Sequence, residues 1–208
     1  MPSTWNERMS PRRERSFFGG AESALTISPA ELCENDRRNA LTRVPRPAVG
    51  VCLRGDASSD LWAVRGYQSL RNHGASVHSA ADGSLFGHWV VQNPFDPSKE
   101  ADAARRAMVE LGIVYRQFGA RPPMRLMVGA HLALLKVVGS SVAGEALAIS
   151  DSLCGMAFDH GAIAVASQAL CDVMTEPASV RPLGKAPMLD RGVPVTACEL
   201  LFGPRPAH

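Results

Sequence analysis

Residues 125 to 167 constrain the fold more than any other stretch. They set a strand-like run, "RLMVGAHLALLKVVGS", before a helical pattern, "SVAGEALAISDSLCGMAFDHG", and a short apolar strand, "AIAVAS". In the middle segment Ala146, Ile149, Leu153 and Met156 recur at spacings of three and four, and Gly161 stops the pattern. Such spacing collects the apolar residues on one side of a helix. A one-sided helix between two strands must bury that side against a sheet. The first run is long enough for a strand pair or for one long bent strand.

The remaining segments extend this alternation. Upstream, "AVGVCL" (48–53) is a continuous apolar run with β-branched residues, which reads as a buried strand. "SSDLWAVRGYQSLRNHG" predicts a short helix: Ser58, Ser59 or Asp60 as cap, Leu61, Val64 and Leu70 as apolar stripe, Gly74 as stop. "SVHSA" and "SLFGHWVVQN" flank Ala81-Asp82-Gly83 and predict a hairpin. The clearest helix is "FDPSKEADAARRAMVELGIVYRQFG". Asp96 or Ser98 caps it, Pro97 opens it, and Ala101, Ala104, Met108, Leu111, Tyr115 and Phe118 form its buried side. Arg105 and Arg106 fall on its solvated side. Downstream, "QALCDVM" reads as a short helix, and "SVRPLG" and "PVTACELLF" as closing strands. The order β-α-β-β-α-β with an α-β extension predicts a mixed α/β (α+β) fold. It is a ferredoxin-like sandwich whose helices cover one face of an antiparallel-rich sheet.

Composition separates a folded body from a tail. Residues 1–47 are rich in Arg, Ser, Pro, Glu and Asn and carry eight Arg against six acids. They read as a disordered extension, with a docking arm as the alternative, closed by the prolines and glycine of "VPRPAVG". Residues 48–203 are the predicted domain, and 204–208 a short tail. From residue 48 onward, fourteen basic side chains balance fourteen acidic ones, which argues against a nucleic-acid groove. The richest apolar window, Met127 to Val138, is broken by Gly129, His131 and Lys136 and falls short of the about 18 residues a membrane span requires. The Arg pair in "SPRRERSFFGG" lacks the apolar region of an export signal, so the expected location is the cytoplasm. Five scattered cysteines (Cys33, Cys52, Cys154, Cys171, Cys198) form no ligand spacing and read as buried thiols.

Taken together, residues 48 to 202 resemble the catalytic domain of class III adenylyl and guanylyl cyclases. "RLMVGAH" is similar to the family's Gly-x-His strand. "SVAGEALAISDSLCGMAFDHGAIAVASQAL" resembles its segment of Gly-Asp, a helix with Asn and Arg, and a Gly-led strand ending in Ser. "RPLGKAPMLDRGVPVTACEL" resembles its closing Pro-Leu-Gly strand and the strand after it. The resemblance implies head-to-tail dimers with composite active sites. In each, two carboxylates hold two Mg²⁺ or Mn²⁺ ions, an Asn orients the ribose, and an Arg four residues later stabilises the α-phosphoryl group.

Carried over by residue, the Asn position falls on Ala148 and the Arg position on Ser152. Losing one pre-placed donor costs about 10²–10³ in rate, and losing a finger-type arginine about 10³–10⁵. Of the metal-binding acids, the second falls on Asp82. The first falls on Gly55 in strict register, or on Asp56 one residue later. Asp82 before Gly83 also fits a plain hairpin turn, and Asp56 after Gly55 a plain turn. Asp56 and Asp82 have 25 residues between them, room for one helix where the family fits two. The base-selecting Lys falls on Ser79 or Ala80, and its partner acid on Ser141, leaving Ser141 and Ser152 as candidate nucleotide contacts. Glu145 suits the positive end of its helix, and His131, inside an apolar strand, reads as a core or interface histidine. The resulting expectation is a degenerate cyclase-like domain acting through a homodimer or heterodimer with a related domain, and through partner or ligand binding. Two alternatives stand beside it: a cyclase completed by a complementing subunit, and a sensor of a purine nucleotide.

Overall fold

The computed structural model describes residues 44–55, 60–118, 125–138, 141–176, 179–186 and 194–202. Its elements, in chain order, are β1 (Arg46–Gly55), α1 (Asp60–Asn72), β2 (Ser76–Ser79), β3 (Leu85–Val90), α2 (Ser98–Phe118) and β4 (Leu126–Val138). They continue with β5 (Ser141–Ala143), α3 (Glu145–Asp159), β6 (Ala164–Ser167), α4 (Gln168–Val173), β7 (Ser179–Ala186) and β8 (Val195–Leu201). The chain therefore has the mixed class and alternation that its sequence pattern predicts. The proposed tail up to residue 43, Asp56, Cys33 and residues 203–208 lie outside the described residues.

β1 is the ruler of the sheet. It lies between β3 and β4, antiparallel to both, within the order β2-β3-β1-β4-β6-β8-β7, and β5 folds back onto β4. Among the described residues only the β4–β6 pair is parallel, because α3 carries the chain across between them. The first four strands of the path are those of the β-α-β-β-α-β unit. A strand in this position is covered on both sides, which explains why "AVGVCL" is apolar throughout. Its odd residues Val49, Val51 and Leu53 enter one core with Leu70 of α1, Ala101, Ala104, Met108 and Leu111 of α2, and Leu170 of α4. Its even residues Ala48 and Cys52 enter a second core with Ala146, Leu147 and Cys154 of α3. This corrects the expectation of helices on one face alone. α1, α2 and α4 cover one face and α3 the other, because β1 is apolar on both sides.

Several local readings also change. β1 begins at Arg46, inside the segment read as a boundary, and the Pro47 carbonyl accepts a hydrogen bond from the Val91 amide at 2.9 Å. The long apolar run after residue 125 is one thirteen-residue strand followed by the three-residue β5. On α1, Val64 is 52% exposed, and the core is met by Trp62, Ala63 and Leu70. Arg105 is not solvated: it is largely buried and pairs with Glu176, whereas Arg106 is exposed. At the start of α2 the Pro97 carbonyl accepts the first helical bond from Ala101, and Asp96 accepts from the Ser98 amide and hydroxyl.

α3 approaches the sheet so closely that main chain touches main chain. A Cβ placed on Gly50 would lie 2.4 Å from the Ala146 carbonyl oxygen, and one on Gly129 would lie 1.9 Å from that of Ser150. Only hydrogen fits at either position. Buried Ser150 fixes the contact, its hydroxyl within 2.8 Å of the Gly50 carbonyl and 2.6 Å of the Ala146 carbonyl. The glycine of the Gly-x-His strand is therefore the seat of the helix. We expect Gly129→Val to lower the urea midpoint by the equivalent of about 3 kcal/mol, the upper part of the overpacking range, since backbone cannot rotate out of the way. Leu132→Ala, whose side chain is only partly buried, should cost less in the same measurement.

Candidate functional site

The end of β1, the β2–β3 turn and the outer side of α3 converge. Arg54 has the same parity as Gly50 and Cys52, so strand alternation turns it toward α3. One of its terminal nitrogens, Nη2, lies 2.5 Å from Oδ1 of Asp151 on α3 and 3.8 Å from Oδ2 of Asp82 in the turn. The first is a charge-assisted hydrogen bond, and the second is an electrostatic contact without one. The Cys52 thiol lies 3.3 Å from the same Asp151 oxygen. A single guanidinium thus joins three elements that are remote in sequence.

Asp82 sits where the hairpin reading places it. The Ala80 amide bonds to the Ser84 carbonyl at 2.8 Å, Gly83 to Ala80 at 3.0 Å, and the Ser84 amide donates to Asp82 Oδ1 at 3.0 Å. Its carboxylate serves the turn with one oxygen and faces Arg54 with the other. Partial burial opposes ionisation, but the Ser84 hydroxyl and amide and the Arg54 charge together hold its carboxyl below the usual range. At Arg54 burial likewise opposes the charge. Asp151 foremost, then Cys52, Cys154 and Asp82, outweigh it and raise the guanidinium's hold on its proton. With side-chain exposures of 37%, 59% and 29% for Arg54, Asp82 and Asp151, water screens the cluster and each pair is worth about 1 kcal/mol at most.

Gly55, the strict-register position of the first family acid, belongs to the opposite face. The Trp62 indole lies over it, 2.3 Å from where a Cβ would stand. One thirteen-residue helix, α1, is the described helix between β1 and β2. Ala148 and Ser152 are one turn apart on α3 and both half-buried. The Ser152 hydroxyl lies 3.3 Å from the Ala148 carbonyl and donates back into its own helix. Ser79 and Ala80 end β2 and begin the turn, and Ser141 opens β5 opposite Val138. Glu145 is exposed in the first turn of α3.

Of the two candidate metal-binding acids the structure describes Asp82, while Asp56 lies outside the described residues. Among the described residues no three His, Cys, Asp or Glu side chains cluster as a metal site, and Asp82 meets a guanidinium instead. Sequence reasoning misses Arg54 and Asp151. Each immediately precedes a position that the resemblance does mark, Gly55 and Ser152, and only alternation and helical phase turn them inward.

A second polar group lies deeper on the same face. His88 of β3 and His131 of β4 both pair with Gly50 of β1, forming a row across three strands, and His78 stacks on His88 at 5.1 Å with planes 3° apart. The Nδ1 atoms of His88 and His131 are buried without a hydrogen-bond partner among the described residues. Burial, joined by the neighbouring His78, pushes His88 down to about 3, and burial pushes His131 down to about 4. The expected core histidine at 131 is therefore neutral and belongs to a larger group. The buried thiol reading fits Cys52, Cys154 and Cys198, whereas Cys171 is only partly buried.

Nucleotide cyclases are among the solved structures with this arrangement of strands and helices. The adenylyl cyclase CyaB from P. aeruginosa aligns over 81% of this chain and 100% of its own, at 10% identity and a TM-score of 0.57. A bacterial light-regulated adenylyl cyclase aligns over 78% of this chain and 54% of its own, at 10% identity and a TM-score of 0.62. The guanylate cyclase domain of RhGC from Catenaria anguillulae, solved in complex with GTP, aligns over 76% and 98%, at 9% identity and 0.56. The fold is that of the class III nucleotide cyclase catalytic domain. No family model matches the sequence, and no curated protein does. This cyclase-like domain thus keeps the architecture at an identity where few side chains coincide. No helix among its described residues is long and apolar enough to cross a membrane.

The histidine row makes a pH prediction. Both imidazoles are neutral when folded, whereas an unfolded chain protonates them near pH 6.5. Stability is therefore complete above about pH 6.5 and falls as the pH drops toward 4, by up to about 1.4 kcal/mol per pH unit for each histidine. We expect urea midpoints to decline over this window, and His131→Phe to shallow the decline.

Proposed function

We propose that this chain is a cyclase-like domain that acts by association, with a second copy or a related domain, and does not turn over nucleotide. The observation that carries the reading is the outer side of α3. Where an Asn and an Arg would meet ribose and phosphate, it presents a methyl group and a hydroxyl bonded to its own backbone. Alanine supplies no hydrogen bond and serine no charge, so the electrostatic stabilisation on which phosphoryl transfer chiefly relies has no source there. The Arg54 contact beside Asp82 weighs in the same direction. A cyclase completed by a complementing subunit would need Asp82 free to hold metal. A nucleotide sensor would need the cleft to bind a purine triphosphate beside two carboxylates.

Purified chain incubated with Mg²⁺ or Mn²⁺ and ATP or GTP is expected to give no cyclic nucleotide by mass spectrometry. Robust product would end the proposal. Sedimentation should show the chain self-associating or joining a related cyclase domain; a monomer indifferent to both would end the association half. If a complementing domain does restore activity, Asp82→Ala separates the readings, since a lent metal site would lose that activity and a purely structural partner would keep it.

A further inference from the structure

We propose that Arg54 is the resident cation of this cleft, its guanidinium standing between Asp82, the position the resemblance assigns to a metal-binding acid, and Asp151 of α3, and doing there the work of a divalent metal ion. The inference rests on the non-catalytic reading of the same site and names the physical device behind it. Its geometry is independent of the α3 substitutions. Nη2 of Arg54 is 2.5 Å from Asp151 and 3.8 Å from Asp82, so one terminal nitrogen of a single delocalised cation faces both carboxylates. That is the electrostatic task a bound Mg²⁺ or Mn²⁺ performs, here done by a group that cannot dissociate and cannot be deprotonated at ordinary pH.

The surroundings hold the charge in place. Cys52, on the same side of β1, approaches the Asp151 oxygen that Arg54 bonds. Asp82 is fixed in its turn by the Ser84 amide, and Asp151 is fixed by the seating of α3 on Gly50 and Gly129. Two consequences follow. First, a metal ion entering between these carboxylates would meet a like charge within contact distance, so the cleft rejects divalent cations. Second, the three described groups sum to one negative charge and offer no free positive charge to a triphosphate, so a metal–nucleotide complex has neither its bridge nor its counter-charge. The guanidinium also ties the end of β1, the β2–β3 turn and α3 together without any exchangeable component.

The test uses the full chain in metal-free buffer and Mn²⁺ alone as the probe, read by the free-Mn²⁺ electron paramagnetic resonance signal and by thermal unfolding. Wild-type chain should leave the free signal unchanged at millimolar Mn²⁺, and its Tm should not respond to the ion. Arg54→Met should melt lower and bind Mn²⁺ saturably, at least about tenfold more tightly than wild type, with its Tm partly restored by Mn²⁺ but not by NaCl of equal ionic strength. Adding Asp82→Asn to Arg54→Met should remove that binding. Arg54→Lys, which keeps a charge, should stay blind to Mn²⁺. Saturable Mn²⁺ binding by wild type that Asp82→Asn abolishes would overturn the proposal, and so would a folded Arg54→Met that gains no Mn²⁺ affinity. Should Arg54→Met not fold, the wild-type and Asp82→Asn titrations decide alone. The outcomes are distinct from those of the activity assay: Asp82-dependent metal binding by the wild-type chain without cyclic nucleotide removes Arg54 as resident cation and leaves the non-catalytic reading standing, whereas cyclic nucleotide formation removes that reading itself.

Discussion

The main-chain contact between α3 and the two central strands is the constraint on which the other features rest. Gly50 and Gly129 present bare Cα atoms to the carbonyls of Ala146 and Ser150, and the Ser150 hydroxyl ties the helix to β1. Ordinary helix–sheet packing passes through side chains that can change rotamer. This contact has no such reserve, so the phase and height of α3 on the sheet are fixed within narrow limits. Fixing α3 determines where the β4–β6 crossover closes and which residues look out over the end of β1. A helix seated this low also brings Asp151 near enough to meet an arginine that emerges from the sheet itself.

Alternation along β1 does the rest. Gly50 supports the helix, Cys52 packs beneath it, and Arg54 reaches its rim, all on one side, while Leu53 and Gly55 turn to the core under α1. Shifting the strand by one residue would exchange the arginine for a glycine and leave the Asp82–Asp151 cleft without its charge. The same register aligns His88 and His131 on either side of Gly50. The sheet interior therefore carries neutral imidazoles at its centre and an ion cluster at its rim, two polar environments separated by Cys52 and Phe86.

Much of this is legible in one dimension. The buried strand at 48–53, the helix after Pro97, the Asp-Gly hairpin, and the strand, helix and strand of residues 125–167 all carry a periodicity or turn chemistry that local physics enforces. The apolar spacing of α1 places Leu70 in the core correctly but Val64 wrongly, because Val64 fits that spacing while Trp62, which covers Gly55, breaks it. Arg105 looks solvated in the sequence because a charge on a helix ordinarily is, and its partner Glu176 lies beyond any sequence window. The single-faced helix layer fails for a related reason. Periodicity tells which side of a helix is apolar, but not which face of a sheet will receive it.

The sequence by itself determined the alternation of strands and helices, the mixed fold class, and the identities of Ala148 and Ser152, since the chemistry a side chain lacks is fixed by its type. The tertiary structure alone decided that Arg54, Asp82 and Asp151 share one site. Those residues stand 28 and 69 positions apart along the chain, each is ordinary among its neighbours, and opposite charges attract by distance in space, a quantity that only the pairing of β1 with β3 and the seating of α3 could set.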